Sequence, residues 1–363
     1  MSGKGRKMLY AFLVFALISA AIAGSVLYEV GRAPNKKEAQ AYKSAKNFAL
    51  GKFWNTKTVV YDFDGEHEDK MNMAKLIFMT EHAPQKPIPQ VLLNRSSFSE
   101  KPEDFAVFWL GHASAILEID GKRLGTDLVF KNASPVPFTV RRYQDAPLKR
   151  RDLPKLDYIL LTHNHYDHLE RATVQSIKEG IFIVPLGLGV TLKGWGIPGE
   201  RIVELGWGDE FERDGIKITA AEGVHFSGRF LTDADKTLWN SYVIRTPEKK
   251  IFWGGDSGYS DHYARIGEKY GPFDLAALEI DAWNGGWPDI HLFPEQSVKA
   301  AKDLKAKRTL PIHWGVYDLG FHPWDKSIKR VSEIAESQGV VLETPKQGEK
   351  FVPGQTKTEK WWL

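Results

Sequence analysis

Apolar and polar positions follow two different rules along this chain. At the N-terminus the apolar pattern is unbroken. Met8 to Tyr28 carries no charged residue and comes after a basic MSGKGRK leader. About 20 such residues span the hydrocarbon core of a bilayer as a helix. The run ends in small residues, and Ala21-Ile22-Ala23 resembles a signal-peptidase site. An uncleaved anchor is therefore expected over residues 1–30, with a cleaved signal as the alternative and a buried soluble helix as the third reading. Lys4, Arg6 and Lys7 precede the run and Arg32, Lys36 and Lys37 come after it, so charge asymmetry gives only a weak orientation. A leading basic segment before a single apolar run predicts export of the C-terminal part.

Beyond it the pattern changes. PNKKEAQAYKSAKNFA is polar and helix-compatible. HAPQKPIPQ, with three prolines, reads as an extended surface stretch. From Phe105 short apolar runs alternate with turn residues. FAVFWLG and SAILEID read as strands, with a turn at Asp120-Gly121. LDYILL, IFIVPLG, RIVELGWGD and IKITAAEGVHF come next, then LWNSYVIRT and KKIFWGGDSG as a pair, FDLAALEI as a buried run and RTLPIHWG as the last strand. Helices are expected at TVQSIKEG with Gly180 as its stop, at PEQSVKAAKDLKA with Pro294 in its first turn, and at KSIKRVSEIAESQGV with Gly339 as its cap. Strand runs interrupted by a few helices predict an α/β fold with two sheets packed face to face and helices outside. The domain reading is an anchor or signal segment at 1–30, an approach segment packing on the catalytic domain at 31–104, that domain at 105–345 and a tail at 346–363. Trp361 and Trp362 in the tail are expected either to dock on the body or to touch lipid.

Composition narrows the chemistry. Of 363 residues, 49 are basic and 46 acidic, a net charge of +3 that argues against nucleic acid as a partner. The chain has no cysteine. That excludes disulfides, thiolate nucleophiles and cysteine metal ligands, and leaves nitrogen and oxygen donors for any metal.

Those donors are concentrated in LLTHNHYDHLE, where His163, His165, Asp167 and His168 fall within six residues. At the end of a strand, positions i and i+2 point the same way, so His163 and His165 can converge on one ion. A turn just after lets Asp167 and His168 address a second centre. Four donors are too many for one catalytic ion with an open position. Two ions about 3.5–4 Å apart, sharing a hydroxide, resolve the crowding and suit hydrolysis of phosphate esters or attack on carbonyls. His225, Asp256 and His313 each come directly after a predicted strand and are further candidate ligands.

THNHYDH, GGDSGY, PIHWG and LGHAS, in this chain, resemble the metallo-β-lactamase fold superfamily. Within it, the stretch from about Phe105 to Val331 is similar to the N-acyl-phosphatidylethanolamine-hydrolysing phospholipase D family, through LTHNHYDHLE, VPLGL, LWNSYVI, GGDSGYSDHYARIGEKYGPFDLAALEI, IHLFPEQSV and PIHWGVY. KFWN near Trp54 resembles that family's N-terminal segment more weakly. The resemblance implies a four-layer αββα sandwich of metallo-β-lactamase type, preceded by one transmembrane or signal helix. It implies two zinc ions, with iron or manganese as alternatives. His163, His165 and His225 would hold one ion and Asp167, His168 and His313 the other, with Asp256 bridging. His291 would stand near the substrate phosphate, to steady it or protonate the leaving oxygen. Asp127 would orient a metal-binding histidine from behind, although Leu128 stands where the family has proline. His112 would act similarly or be a satisfied core histidine. Trp283 and Trp287 would line an acyl-chain wall or belong to the core. Arg229 would contact phosphate or be a plain surface charge.

The implied activity is a phospholipase D-type phosphodiesterase, with hydroxide attacking phosphorus in line and Asp256, Asp167 and His291 as its catalytic residues. The main alternative is a zinc-dependent hydrolase of lactones or other carbonyl esters, since related members include lactone hydrolases. A nuclease and a non-catalytic membrane-anchored metal-binding module are more distant alternatives. The expected partners are a phospholipid or other amphipathic substrate and, through the N-terminal helix, a membrane; a homodimer is compatible. The expected location is the inner or cytoplasmic membrane with the catalytic domain on the exported side, or a soluble exported form after cleavage.

Overall fold

The computed structural model describes residues 3–67, 82–136 and 138–363. The remainder of the expected approach segment, residues 68–81, therefore lies outside the described residues. Helix α1 (Gly3–Val30) comes first. Its stretch Arg6–Val30, with a mean hydropathy of 2.2, is long and apolar enough to cross a membrane by length and composition. The polar segment after it forms only a 3-10 turn, Glu38–Tyr42, and then a small hairpin of β1 (Phe48–Ala49) and β2 (Lys52–Phe53).

Two sheets make the body. The first is built from β3 (Phe105–Trp109), β4 (Ala115–Ile119), β5 (Lys122–Thr126), β6 (Tyr158–Leu160), β7 (Ile181–Pro185) and β8 (Ile202–Leu205). The second holds β9 (Glu210–Arg213), β10 (Ile216–Ala221), β11 (Ser241–Arg245), β12 (Lys250–Trp253), β13 (Leu275–Glu279) and β14 (Thr309–Ile312) in the order β14-β13-β12-β11-β10-β9. A last strand, β15 (Lys350–Phe351), returns to the first sheet and pairs with β3, giving the order β15-β3-β4-β5-β6-β7-β8. Pairing runs antiparallel from β15 through β5 and parallel from β5 through β8. In the second sheet β9 to β12 are antiparallel and β12 to β14 parallel.

Period-two alternation explains the layering. Val107 and Trp109 of β3, Leu160 of β6, Tyr242 of β11 and Trp253 of β12 belong to the cluster between the sheets. Their neighbours face outward. Phe108, Ile159 and Phe182 pack with α2 (Arg171–Ser176) and α3 (Leu188–Gly194) through Val174, Leu188 and Leu192. On the far side, Phe252, Ala276 and Leu278 pack with α4 (His262–Tyr270) and α5 (Pro294–Asp303) through Tyr263, Ile266 and Ala300. α6 (Lys326–Gln338) places Ile328, Val331 and Ala335 on the central core and ends at Gly339, with φ +69°. The result is the αββα sandwich expected from the strand runs.

Local chemistry sets the joints. β4 and β5 meet through Asp120-Gly121, both at positive φ, with Ile119 opposite Lys122, which is a two-residue hairpin turn of the type that matches strand twist. Three details differ from the sequence expectation. α2 stops at Ser176, because Ile177 turns extended. Gly180 serves a close approach of strands instead: a Cβ there would lie 2.5 Å from the Leu156 carbonyl oxygen. The segment expected as tail supplies β15, and Phe351 is fully buried in the central core. Of the two fates expected for the terminal tryptophans, the body takes both: Trp361 stacks on Trp314 at 5.0 Å, and Trp362 is buried.

Candidate metal centre

The pairing directions bring the C-terminal ends of β3, β5, β6, β10, β12, β13 and β14 to one edge of the sandwich, where loops carry side chains into the gap between the sheets. His112 comes after β3, Asp127 after β5, and His163 to His168 after β6. His225 comes after β10, Asp256 after β12, and His313 after β14. Gly255 allows this at Asp256. Its φ is +60°, and a Cβ would sit 2.7 Å from the Thr162 methyl.

The histidines fall into two groups. His163, His165 and His225 converge, with His165 Nδ1 2.8 Å from His163 Nε2 and 3.3 Å from His225 Nε2. Asp167, His168 and His313 form the second, with Asp167 Oδ2 3.3 Å from His168 Nε2 and 3.4 Å from His313 Nε2. Asp256 Oδ2 lies between them. It is 3.2 Å from His168 Nε2 and 3.1 Å from His313 Nε2, and 3.8 and 3.7 Å from His163 Nε2 and His225 Nε2.

Hydrogen bonds from behind aim these rings. Asp127 accepts from His168 Nδ1 at 2.8 Å and from both the amide and hydroxyl of Thr162. His225 Nδ1 donates to the Ile290 carbonyl at 3.0 Å. Asn55, from the segment before the sandwich, brackets His225 by accepting from its amide and donating to its carbonyl. His112 Nε2 donates to Asp167 Oδ2 at 2.9 Å. These bonds fix the rings and carboxylates so that their other donor atoms face the centre, the arrangement that outer hydrogen bonds produce around metal ligands.

The donor set fits two divalent ions. His168 Nε2, His313 Nε2 and Asp256 Oδ1 are buried without a hydrogen-bond partner. Native interiors rarely leave such atoms orphaned unless an ion or water completes them. The protonation pattern agrees. Burial holds His163 and His165 well below the usual imidazole range and His225 down at about 3, so these three are neutral. Burial opposes charge at His313 and His168 too, but Asp256 and its neighbouring carboxylates outweigh it. They push His313 up to about 10 and His168 well above its usual value. A ligand nitrogen must lose its proton before it binds an ion. Entry of divalent ions is therefore expected to release up to two protons, from His168 and His313. Affinity should then rise with pH throughout the range below about 10. Calorimetry of zinc binding in buffers of different ionisation heat measures that number directly; zero released protons would contradict the pattern.

Beside the histidines lies a cavity of about 310 Å³. His165, Asp167, Asp256 and His291 meet it on one side, and Tyr61, Phe63, Phe226, Ala282, Trp287, Ile290 and Leu319 form the rest of its wall. The approach segment contributes Tyr61 and Phe63, stacked 5.6 Å apart, and is tied down where Lys57 and the Val60 amide bind Asp289. His291 is braced by Glu279, whose Oε2 is 2.6 Å from Nδ1.

The structure thus brings His163, His165, Asp167, His168, His225, Asp256, His313, His291, Asp127, His112 and Trp287 to one centre. It does not bring Trp283 or Arg229 to the cavity. Trp283 is buried, stacked on His322 and bonded to Ser327. Arg229 is buried with its guanidinium on main-chain carbonyls, so it is neither a plain surface charge nor a contact of this cavity. Sequence reasoning misses Glu279. Its one signal in the sequence is a carboxylate closing an otherwise apolar strand, LAALE. Asn55 is missed as well, although it closes the KFWN stretch that resembles the family, and so are Tyr61, Phe63 and Phe226, which nothing local marks.

Known proteins resemble this chain at several levels. A family model described as the β-lactamase superfamily domain matches residues 129–314. An uncharacterised protein of Mycobacterium tuberculosis is 37% identical over 288 residues, 77% of this chain and 77% of that protein. The N-acyl-phosphatidylethanolamine-hydrolysing phospholipase D 1 of Caenorhabditis elegans is 36% identical over 228 residues, 58% of this chain and 64% of that one. Among solved structures, Igni18, a metallo hydrolase of the archaeon Ignicoccus hospitalis, superposes with a TM-score of 0.53 at 22% identity, covering 70% of this chain and 99% of that one. That last likeness is one of fold.

Proposed function

The chain belongs to the metallo-β-lactamase superfamily, a fold of divalent-metal hydrolases, and from that premise we propose that it is a binuclear zinc phosphodiesterase of the phospholipase D type. Its substrate would be an N-acyl-phosphatidylethanolamine-like phospholipid. The observation that carries this reading is the position of Asp256 Oδ2 between two histidine groups at the foot of an apolar cavity. The named activity of the nematode relative points the same way.

In this reading His163, His165 and His225 would hold one ion, Asp167, His168 and His313 the other, and Asp256 would serve both. When bound, the ions supply an activated water and polarise a phosphoryl oxygen. The chain's own residues do the rest. Tyr61, Phe63, Phe226 and Trp287 offer an acyl chain an apolar wall that excludes water. His291 meets the phosphodiester. Burial lowers its imidazole to about 4, whereas burial and the neighbouring Asp256 hold the Glu279 carboxyl well above the usual range. At neutral pH the proton of the pair therefore belongs to Glu279, which donates to Nδ1. Nε2–H is left free to donate a hydrogen bond to a phosphate oxygen, or its proton to the departing alkoxide as the Glu279 proton moves onto Nδ1. Glu279→Gln keeps the volume and a donor to Nδ1 but has no proton to pass on to the ring. The expected result is a fall in kcat of about 10–100-fold, with both ions retained by elemental analysis; unchanged kcat would remove Glu279 from the machinery. α1 serves as an uncleaved anchor that keeps the domain on the exported face, beside its lipid.

The test is direct. The zinc-loaded full chain is incubated in micelles with N-acyl-phosphatidylethanolamine, and separately with a long-chain lactone, and products are read by mass spectrometry. Zinc-dependent phosphatidic acid and N-acylethanolamine are expected. Lactone opening without phosphodiester cleavage would overturn the phosphodiesterase reading in favour of a carbonyl hydrolase.

A further inference from the structure

Arg229 and Arg171 have no role in the chemistry above, yet both are buried arginines. Their partners are unusual. Arg229 Nη1 donates to the carbonyls of Asn164 and Leu169, at 2.8 and 2.9 Å. Those carbonyls belong to the turn that carries His163, His165, Asp167 and His168. The same guanidinium sends Nη2 to the Glu29 carbonyl at 2.7 Å and Nε to the Val30 carbonyl at 3.1 Å. Arg171 Nη1 donates to the Tyr28 carbonyl at 2.6 Å. Tyr28, Glu29 and Val30 end α1, and their carbonyls are among the four that every helix leaves without an internal partner. Two cations there also complement the negative end of the helix dipole. Thr191 continues the contact by binding the Arg32 carbonyl. Tyr166 and Trp195 flank the Arg229 guanidinium, which burial lowers to about 10 and leaves charged at neutral pH.

This leaves no slack between the apolar helix and the body. The charge-free run Met8–Tyr28 measures about 31 Å at ~1.5 Å per residue, against a hydrocarbon core of about 30 Å. A bilayer containing it would end where Arg171 takes hold of Tyr28. Two loops flank that point and carry exposed apolar side chains. Phe230 and Leu231 come directly after Arg229 and are 46% and 93% exposed. Val136 and Phe138, 43% and 76% exposed, sit on the loop after β5. There Pro135 and Val136 share a groove with Ser25 and Glu29 of α1 and with Arg229, and Lys131 pairs with Glu29. Apolar tips on a body normally mark an interaction surface, and continuity with a bilayer-length helix identifies this one.

We infer that Arg171 and Arg229 make α1 a rigid strut, and that it seats the body on a lipid bilayer with Phe230–Leu231 and Val136 and Phe138 as interfacial feet. The inference rests on the anchor reading of α1. It also places the metal turn one residue, Arg229, away from the membrane end of the helix, so the centre is held at a set depth instead of hanging on a leash.

The cysteine-free sequence makes the test clean. Single variants Leu231→Cys, Phe138→Cys, Phe15→Cys and Val341→Cys of the full chain carry an environment-sensitive fluorophore, in vesicles of phosphatidylcholine and phosphatidylglycerol. Val341 lies beside the start of β14, at the other end of the sandwich from the metal centre. Expected are a deep signal at 15, a blue shift with quenching by headgroup-region nitroxide lipids at 231 and 138, and an aqueous signal at 341. Adding Arg171→Gln should leave 15 deep and return 231 and 138 toward the aqueous signal. Feet in water while 15 is deep would overturn the docking, and feet indifferent to Arg171→Gln would overturn the strut. A label at 15 in water would overturn the anchor and with it the whole inference. None of these readings uses a substrate, so a failure to cleave phospholipid, read in micelles, is a separate result.

Discussion

Asp256→Asn is expected to abolish turnover while leaving the fold intact. The carboxylate is buried at the edge of the cavity, and its Oδ2 is within 3.8 Å of four imidazole nitrogens, two from each histidine group. Asparagine matches its shape and removes the charge that both ions would share. In a water-excluded site one such charge is worth far more than at the surface. The expected loss in kcat is on the order of 10³-fold or more, with fewer than two ions retained per chain. A second consequence separates this from simple damage. Asp256 is the leading source of the raised proton affinity of His313 and His168. Its neutralisation should therefore reduce the number of protons released when zinc enters. Kinetics, elemental analysis and the two-buffer calorimetry check the three parts. Full occupancy with activity within a factor of about ten of the parent would show that Asp256 does not bridge.

Asp127→Ala is expected to give the largest loss of stability at the centre. Asp127 is completely buried and accepts from the Thr162 amide, the Thr162 hydroxyl and His168 Nδ1. Alanine leaves those donors unmet, and His168 loses the carboxylate that faces it. Removing one partner of a buried pair costs about 3–5 kcal/mol. Asp127 also sits at φ +40°, where aspartate is tolerated better than alanine. For a domain of this size the midpoint of thermal unfolding should fall by on the order of 10 °C. Asp127→Asn keeps an acceptor and the backbone tolerance, so it should unfold near the parent but bind metal about 10–100-fold more weakly. Thermal scans with and without zinc distinguish the two. An alanine variant as stable as the parent would mean that the network contributes nothing.

Several features could be read from the chain because they are local. Strand alternation comes from the period of two, the Asp120-Gly121 turn from its residue pair, and the crowding of His163 to His168 from spacing alone. Each depends on residues within about one turn of one another. What escaped depends on contacts between distant segments. Glu279 becomes a brace only because β13 ends beside His291. Trp283 has the glycine-rich neighbourhood of an interfacial tryptophan, but α6 covers it through Ser327. Arg229 has the composition of a surface charge, and only the fold sets it between a helix end and the metal turn. β15 is two residues long, too short for any periodicity to announce.

The cavity wall and the metal-facing donors come from different parts of the chain. The donors stand at the ends of buried strands, tied by hydrogen bonds to the core. Tyr61, Phe63, Trp287, Ile290 and Leu319 stand on connections outside the strands. Substitutions in those connections are free of the packing constraints that hold the donors. Under selection the two inventories can diverge at different speeds. One hydrolytic centre can persist through descent while lineages exchange the walls and with them the molecules they accept. Orthologues and paralogues of this chain should therefore differ first in the segments around 61–63, 282–290 and 319, and last at the strand ends and at His291.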